Sequence, residues 1–77
     1  MIEVSLKELK RGDSGGEVLA MQSLLNGIDN AFVMLSGEFD AQTEKALARY
    51  QKSVDIPQTK VCDGKTWYHL LNGIYRM

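Results

Sequence analysis

The sequence predicts an all-α fold: a three-helix, bundle-like domain with an internal quasi-repeat and an extended N-terminal arm. Three observations predict it. Apolar residues recur at helical spacing around Met21, Leu47 and Leu70. Each of these stretches follows turn chemistry, at Gly12 to Gly16, at Ser36-Gly37 and at Asp63-Gly64. A turn-plus-helix pattern also occurs twice at a constant offset of 23 residues, setting Phe39 over Cys62, Asp40 over Asp63, Thr43 over Thr66 and Leu47 over Leu70.

In chain order, Ile2, Val4 and Leu6 alternate with Glu3, Ser5 and Lys7, which reads as an extended arm over residues 1–12 with Leu9 as its anchor to the core. Ser14-Gly15-Gly16-Glu17 fits a capping box, with Ser14 as N-cap and Glu17 reaching back. The spacing then predicts a helix over 15–28 whose buried stripe is Val18, Met21, Leu24, Leu25 and Ile28. Asn26-Gly27 followed by Asp29-Asn30 signals its end. The connection Ala31-Phe32-Val33-Met34-Leu35 is apolar, so it is expected to pack, with Phe32 or Leu35 touching the core.

The central stretch begins at Gly37, where glycine permits a positive φ at no steric cost. Phe39 points inward and Asp40 is a good N-cap, because its carboxylate can accept from an otherwise unpaired helix amide. A second helix over 41–54 buries Thr43, Ala46, Leu47, Tyr50 and Val54 and turns Gln42, Glu44, Lys45, Ala48, Arg49 and Lys52 the other way. Ile56-Pro57 stops it, since the residue before proline is pushed out of the α region. Asp63 caps a third helix over 64–73, with Trp67, Leu70, Leu71 and Ile74 inward and fraying at Asn72-Gly73. Val18-Leu19-Ala20-Met21-Gln22 echoes Leu47-Ala48-Arg49-Tyr50-Gln51, so the first helix joins the repetition. Repeats this few do not make a solenoid, and one shared core over 1–77 is the expected arrangement.

Composition narrows the function classes. Seventy-seven residues allow one small domain. Nine basic and ten acidic residues give a net charge of -1 with no run of either sign, which argues against nucleic acid as a partner. A helix-turn-helix reader would need a basic recognition helix, and the third helix carries only Lys65, with Arg76 beyond it. No apolar run approaches the ~18 residues of a membrane span, and Met1 to Lys10 show no signal peptide. Cys62 is the only cysteine and His69 the only histidine, without zinc-ligand spacing, so neither a metal nor another cofactor is expected. Cys62 reads as a small buried apolar group. Glycoside hydrolysis needs two carboxylates flanking the scissile bond, and among Glu38, Asp40 and Glu44 the second already has a capping role. A catalytic site is therefore not expected.

The run from Leu9 to Val18, with Met21-Gln22 and Leu25, resembles the opening motif of the small three-helix peptidoglycan-binding domain family. Gly37-x-Phe39, Thr43, Ala46-Leu47 and Tyr50-Gln51 resemble its central motif, and Asp63-Gly64-Lys65-Thr66-Trp67-Tyr68-His69-Leu70 its closing one. Together the motifs cover Leu9 to Leu71. The sequence departs from the family pattern at turns: Ser36-Gly37 and Phe39-Asp40 replace Asp-Gly and Phe-Gly, and Gln58-Thr59-Lys60 stands where a second Asp-Gly is expected.

The resemblance implies a non-catalytic module that attaches an adjoining or partner wall hydrolase to bacterial peptidoglycan. The place of action would be the cell wall, outside the cell or in the periplasm, or at lysis for a phage-encoded parent. Gln22 and Gln51 stand at the family's Gln positions, where their amides serve either glycan hydroxyls and peptide carbonyls or a nearby loop backbone; half-buried polar groups favour the loop. Asp13 suits either a ligand or the turn before the first helix. Trp67 reads as core. Helical geometry puts Tyr68 at the edge of the inward stripe, where with Arg49 and Gln51 it would line a shallow groove between the second and third helices. The ligand-binding candidates are thus Asp13, Gln22, Arg49, Gln51 and Tyr68. The alternative is a protein-docking module of the same fold, which exposure of the loop Phe32 to Leu35 would favour. The fold also resembles the metalloproteinase prodomain, but no Pro-Arg-Cys-Gly run follows the third helix.

Overall fold

Three helices, and no strand, make up the described residues: α1 (Gly16–Asp29), α2 (Ala41–Ser53) and α3 (Gly64–Tyr75). The computed structural model describes residues 7–75, with side chains through 73. The alternating arm at Ile2, Val4 and Leu6 and the side chain of Ile74 lie outside the described residues.

The core forms because each helix turns one apolar stripe inward. Val18, Met21 and Leu25 of α1 meet Leu47 and Tyr50 of α2 and Trp67 and Leu70 of α3, with Leu9, Phe39 and Cys62 filling the ends. Leu24, Ile28, Ala46 and Val54 pack around this cluster, partly buried. Leu71 departs from the expected inward stripe and stays exposed. Fully burying an aliphatic or aromatic side chain contributes about 1.5–3 kcal/mol. α1 is the central element, since both α2 and α3 pack on it. Gly73 of α3 lies so close to α1 that an added Cβ would sit 2.8 Å from Ile28 Cδ1. The helix therefore runs on through Asn72-Gly73, where fraying was expected, because this close approach holds its last turn. No helix among the described residues is long and apolar enough to cross a membrane.

The start of α1 differs from the expected capping box. Its N-cap is Gly15 at φ 126°, with no side-chain cap bond. The Gly15 N–H instead donates to Gly37 O at 2.9 Å, and Ser14 bridges Glu38. Backbone docking onto the turn before α2 does the work assigned to Ser14 and Glu17. At its other end α1 continues past Asn26-Gly27 to a left-handed C-cap at Asn30. Asn26 faces the following loop, where its amide pairs both ways with the Val33 backbone, at 2.8 and 2.9 Å.

That pairing decides how the apolar loop lies. Val33 is buried, whereas Phe32 is 84% exposed, Met34 72% and Leu35 54%. The expectation that Phe32 or Leu35 reaches the core is overturned. Phe32 takes a left-handed φ of 56°, and Asn26 fixes its neighbour Val33, so Val33 fills the inward position.

Leu9 and Cys62 exchange backbone hydrogen bonds, Leu9 N–H to Cys62 O at 3.1 Å and Cys62 N–H to Leu9 O at 2.7 Å. Trp67 Nε1 donates to Lys7 O at 3.0 Å. Leu9 and Trp67 thus tie residues 7–9 to the turn before α3 and to α3 itself.

Candidate functional site

Two polar clamps set the positions of α2 and α3. Gln22 of α1 is fully buried, and its Nε2 donates to Glu38 O and to Thr43 Oγ1, each at 3.0 Å. Its Oε1 accepts from Gly37 N–H at 2.9 Å. Gln51 of α2 repeats the pattern one helix later. Its Nε2 donates to Val61 O and to Thr66 Oγ1, again at 3.0 Å, and its Oε1 accepts from Lys60 N–H at 3.1 Å. Buried amides must find partners, and these are satisfied on both sides. The turns then deliver their helix caps. Asp40 Oδ1 accepts from Thr43 N–H at 2.9 Å, and Asp63 Oδ1 from Thr66 N–H at 3.0 Å. The hydrogen bonds from Thr43 hold the Asp40 carboxyl below its ordinary range.

Because α2 and α3 lean on α1 more than on each other, a groove of about 410 Å³ remains between them. Ile28 of α1 contributes to it, Tyr50 and Val54 come from the α2 side, and Tyr68, His69 and Asn72 from α3. Tyr68 is 64% exposed, with its ring edge-on to His69 at a centroid distance of 5.8 Å. Tyr50 is buried, and burial followed by the charge of Asp29 raises its phenol above the usual range, which keeps it a hydrogen-bond donor. Asp29, at the end of α1, holds Oδ2 buried without a hydrogen-bond partner. An apolar floor, an exposed aromatic face and a few polar groups suit a sugar or short-peptide ligand.

The structure does not gather the five sequence-derived candidates at one place. Tyr68 lines the groove. Gln51 and Gln22 lie in the interior, with their amides on the turns. Arg49 lies elsewhere, beside the loop after α1, where it lines a second hollow with Gln42 and Lys45. Asp13 Oδ2 accepts from Lys10 N–H at 2.9 Å, which closes the turn before α1. Tyr50, His69 and Asn72 were missed as groove residues. Asn72 follows Tyr68 by one helical turn, a spacing that could have found it.

Cys62 is fully buried at the Leu9 bridge, and burial pushes its thiol up to about 12. It stays protonated and inaccessible, the opposite of what a nucleophile needs.

A family model described as "Putative peptidoglycan binding domain" matches residues 14–70. Among solved structures, the chain is similar to the SleB N-terminal domain, at 27% identity and a TM-score of 0.83, over 91% of this chain and 96% of that one. No curated protein sequence matches it.

Proposed function

Since the chain belongs to the peptidoglycan-binding domain family, we propose that it is a non-catalytic module that holds the bacterial cell wall in the groove between α2 and α3. The observation that carries this is Tyr68, a large aromatic ring left 64% exposed at that groove. An exposed ring beside Asn72 and His69 offers a stacking face with hydrogen-bonding groups next to it. Gln22 and Gln51 act on the site indirectly, by fixing the turns that aim α2 and α3.

So shallow a groove desolvates few anchors, and each contact is weak. Useful attachment comes from many sites along the polymer, or from tethering to a wall hydrolase at high effective concentration. The module then acts at the cell wall as the targeting part of a larger or associated enzyme. The test is co-sedimentation of the purified chain with insoluble peptidoglycan sacculi, scored also for soluble fragments. Saturable pelleting without fragment release is expected. A folded chain that stays in the supernatant with sacculi of several chemotypes would refute wall binding.

One observation favours a second reading. Phe32, Met34 and Leu35 form an exposed apolar run, and such surface commonly marks a protein partner's site. Failure to pellet, together with a partner contact that Phe32→Ser abolishes, would establish docking instead.

A further inference from the structure

A second hollow, of about 200 Å³, lies where α2 meets the loop after α1. It shares no lining residue with the Tyr68 groove. Its apolar part is small: Ala31, Val33 and Ala46. Gln42, Lys45 and Arg49 complete the lining, and their spacing along α2 sets them on one face of the helix. All three are exposed. The ion pair among the described residues is Arg11–Glu44, so Lys45 and Arg49 have no carboxylate partner there. Asn26 clamps Val33 through both of its backbone groups, which keeps that side of the hollow in place before any ligand arrives.

The lining chemistry selects the ligand. Two unneutralised cations at a concave site call for an anion, and a guanidinium presents a fork that matches a carboxylate. The side-chain amide of Gln42 can donate to and accept from a peptide group. The small floor of alanine and valine side chains takes methyl groups rather than rings. No aromatic side chain lines the hollow, so the stacking face that a sugar ring favours is missing. We propose that this hollow binds the free carboxylate of a short alanine-containing peptide, the stem peptide of peptidoglycan, through Arg49 and Lys45, with Gln42 on the adjoining peptide bond. The proposal rests on the wall-binding reading and divides its labour: Tyr68 meets one part of the polymer and the α2 hollow meets the peptide's charge.

The experiment is an amide chemical-shift titration of the whole chain with three soluble probes. These are a free pentapeptide ending in D-Ala-D-Ala, the same peptide with its carboxyl groups converted to carboxamides, and an N-acetylglucosamine tetramer. The free peptide is expected to shift Val33, Gln42, Lys45, Ala46 and Arg49, and the carboxamide form to lose that effect. Arg49→Gln, at an exposed position, is expected to weaken the peptide about fivefold, the upper end for an exposed charge pair. Lys52→Gln, which removes an exposed charge from α2 outside both hollows, should leave peptide binding unchanged. Equal binding of the two peptides overturns the proposal, as do shifts confined to Tyr68 and Asn72. Equally strong shifts from a glutamate-rich peptide of unrelated sequence also overturn it, in favour of an acidic protein partner. Pelleting on sacculi is measured in parallel. A chain that pellets but shows no peptide shifts at the hollow refutes this inference and leaves the wall-binding reading intact. A chain that does neither refutes both.

Discussion

Gln22 and Gln51 make the same hydrogen bonds to two different turns, each reaching from one helix to the turn that launches the next. Gln22 binds Gly37, Glu38 and Thr43; Gln51 binds Lys60, Val61 and Thr66. The partners in the two sets are 23 residues apart, so the repeat is one clamp used twice.

The clamp should contribute measurably to stability. Gln51→Leu keeps the side chain's bulk but strands Lys60 N–H, while Val61 O keeps the Asp63 N–H and the Thr66 hydroxyl keeps Asp63 Oδ1. Each stranded buried group costs about 1–3 kcal/mol. A chain of 77 residues has about 4–12 kcal/mol to lose. Urea unfolding of Gln51→Leu, and of Gln22→Leu, which strands Gly37 N–H, is expected to show a loss of about 1–3 kcal/mol for each. A loss below about 1 kcal/mol would mean that the turns hold without their glutamines.

Within that clamp, Lys60 occupies a glycine's place. Lys60 has φ 65° where Gly37 has φ 76°. A side chain in the left-handed region costs about 1–2 kcal/mol, and glycine's extra unfolded freedom offsets about 0.5–1 kcal/mol of any gain. Lys60→Gly is expected to raise stability by about 0.5–1 kcal/mol. Gly37→Ala is expected to lower it, since a side chain at φ 76° takes on the strain of the left-handed region. Urea midpoints moving the opposite way would refute the equivalence of the two turns.

These two positions show what the sequence made legible. The offset linking Phe39 to Cys62 and Thr43 to Thr66 could be read because side chains of matching role recur. The α1 stripe at Val18, Met21 and Leu25 could be read from helical spacing alone. Lys60 could not be read as a left-handed position, because its backbone is imposed by Gln51 from nine residues away. Ser14 failed as a cap for the same reason: the carbonyl that engages Gly15 belongs to Gly37. Val33 beat Phe32 to the interior because Asn26 holds its backbone, and hydrophobicity alone ranks those two the wrong way round. At the candidate site, Tyr68 was legible as an aromatic at the edge of the α3 stripe. The separation of Arg49 from it was not, since that depends on how α2 is rotated on α1.

Cys62 makes stability depend on alkaline pH. Its folded-state thiol lies at about 12 against an ordinary 9.0, so above pH 9 the folded chain holds a proton that the unfolded chain has released. Stability is then complete below about pH 9 and falls as pH rises from there toward 12. Cys62→Ala should be less stable at neutral pH, because it leaves a small cavity, but its stability should decline less between pH 9 and pH 11. Labelling by a thiol reagent at pH 8 should follow global unfolding. Fast labelling of the folded chain would show that the Leu9 bridge opens independently.

Tyr68 separates binding from folding. It is 64% exposed and belongs to no hydrogen-bonded clamp, so Tyr68→Ala should change stability by no more than about 0.5 kcal/mol. If its ring is the groove's aromatic anchor, half-saturating pelleting on sacculi should weaken about five- to tenfold, the range for losing a single anchor worth over 1 kcal/mol. Tyr68→Phe should retain most of the binding if the ring face matters, and lose as much as alanine if the hydroxyl does. Phe32→Ser is the informative control, because it removes an even more exposed aromatic from a different surface. Pelleting that survives Tyr68→Ala but not Phe32→Ser would move the wall contact from the groove to the apolar loop, and the two readings of this fold would then describe a single surface.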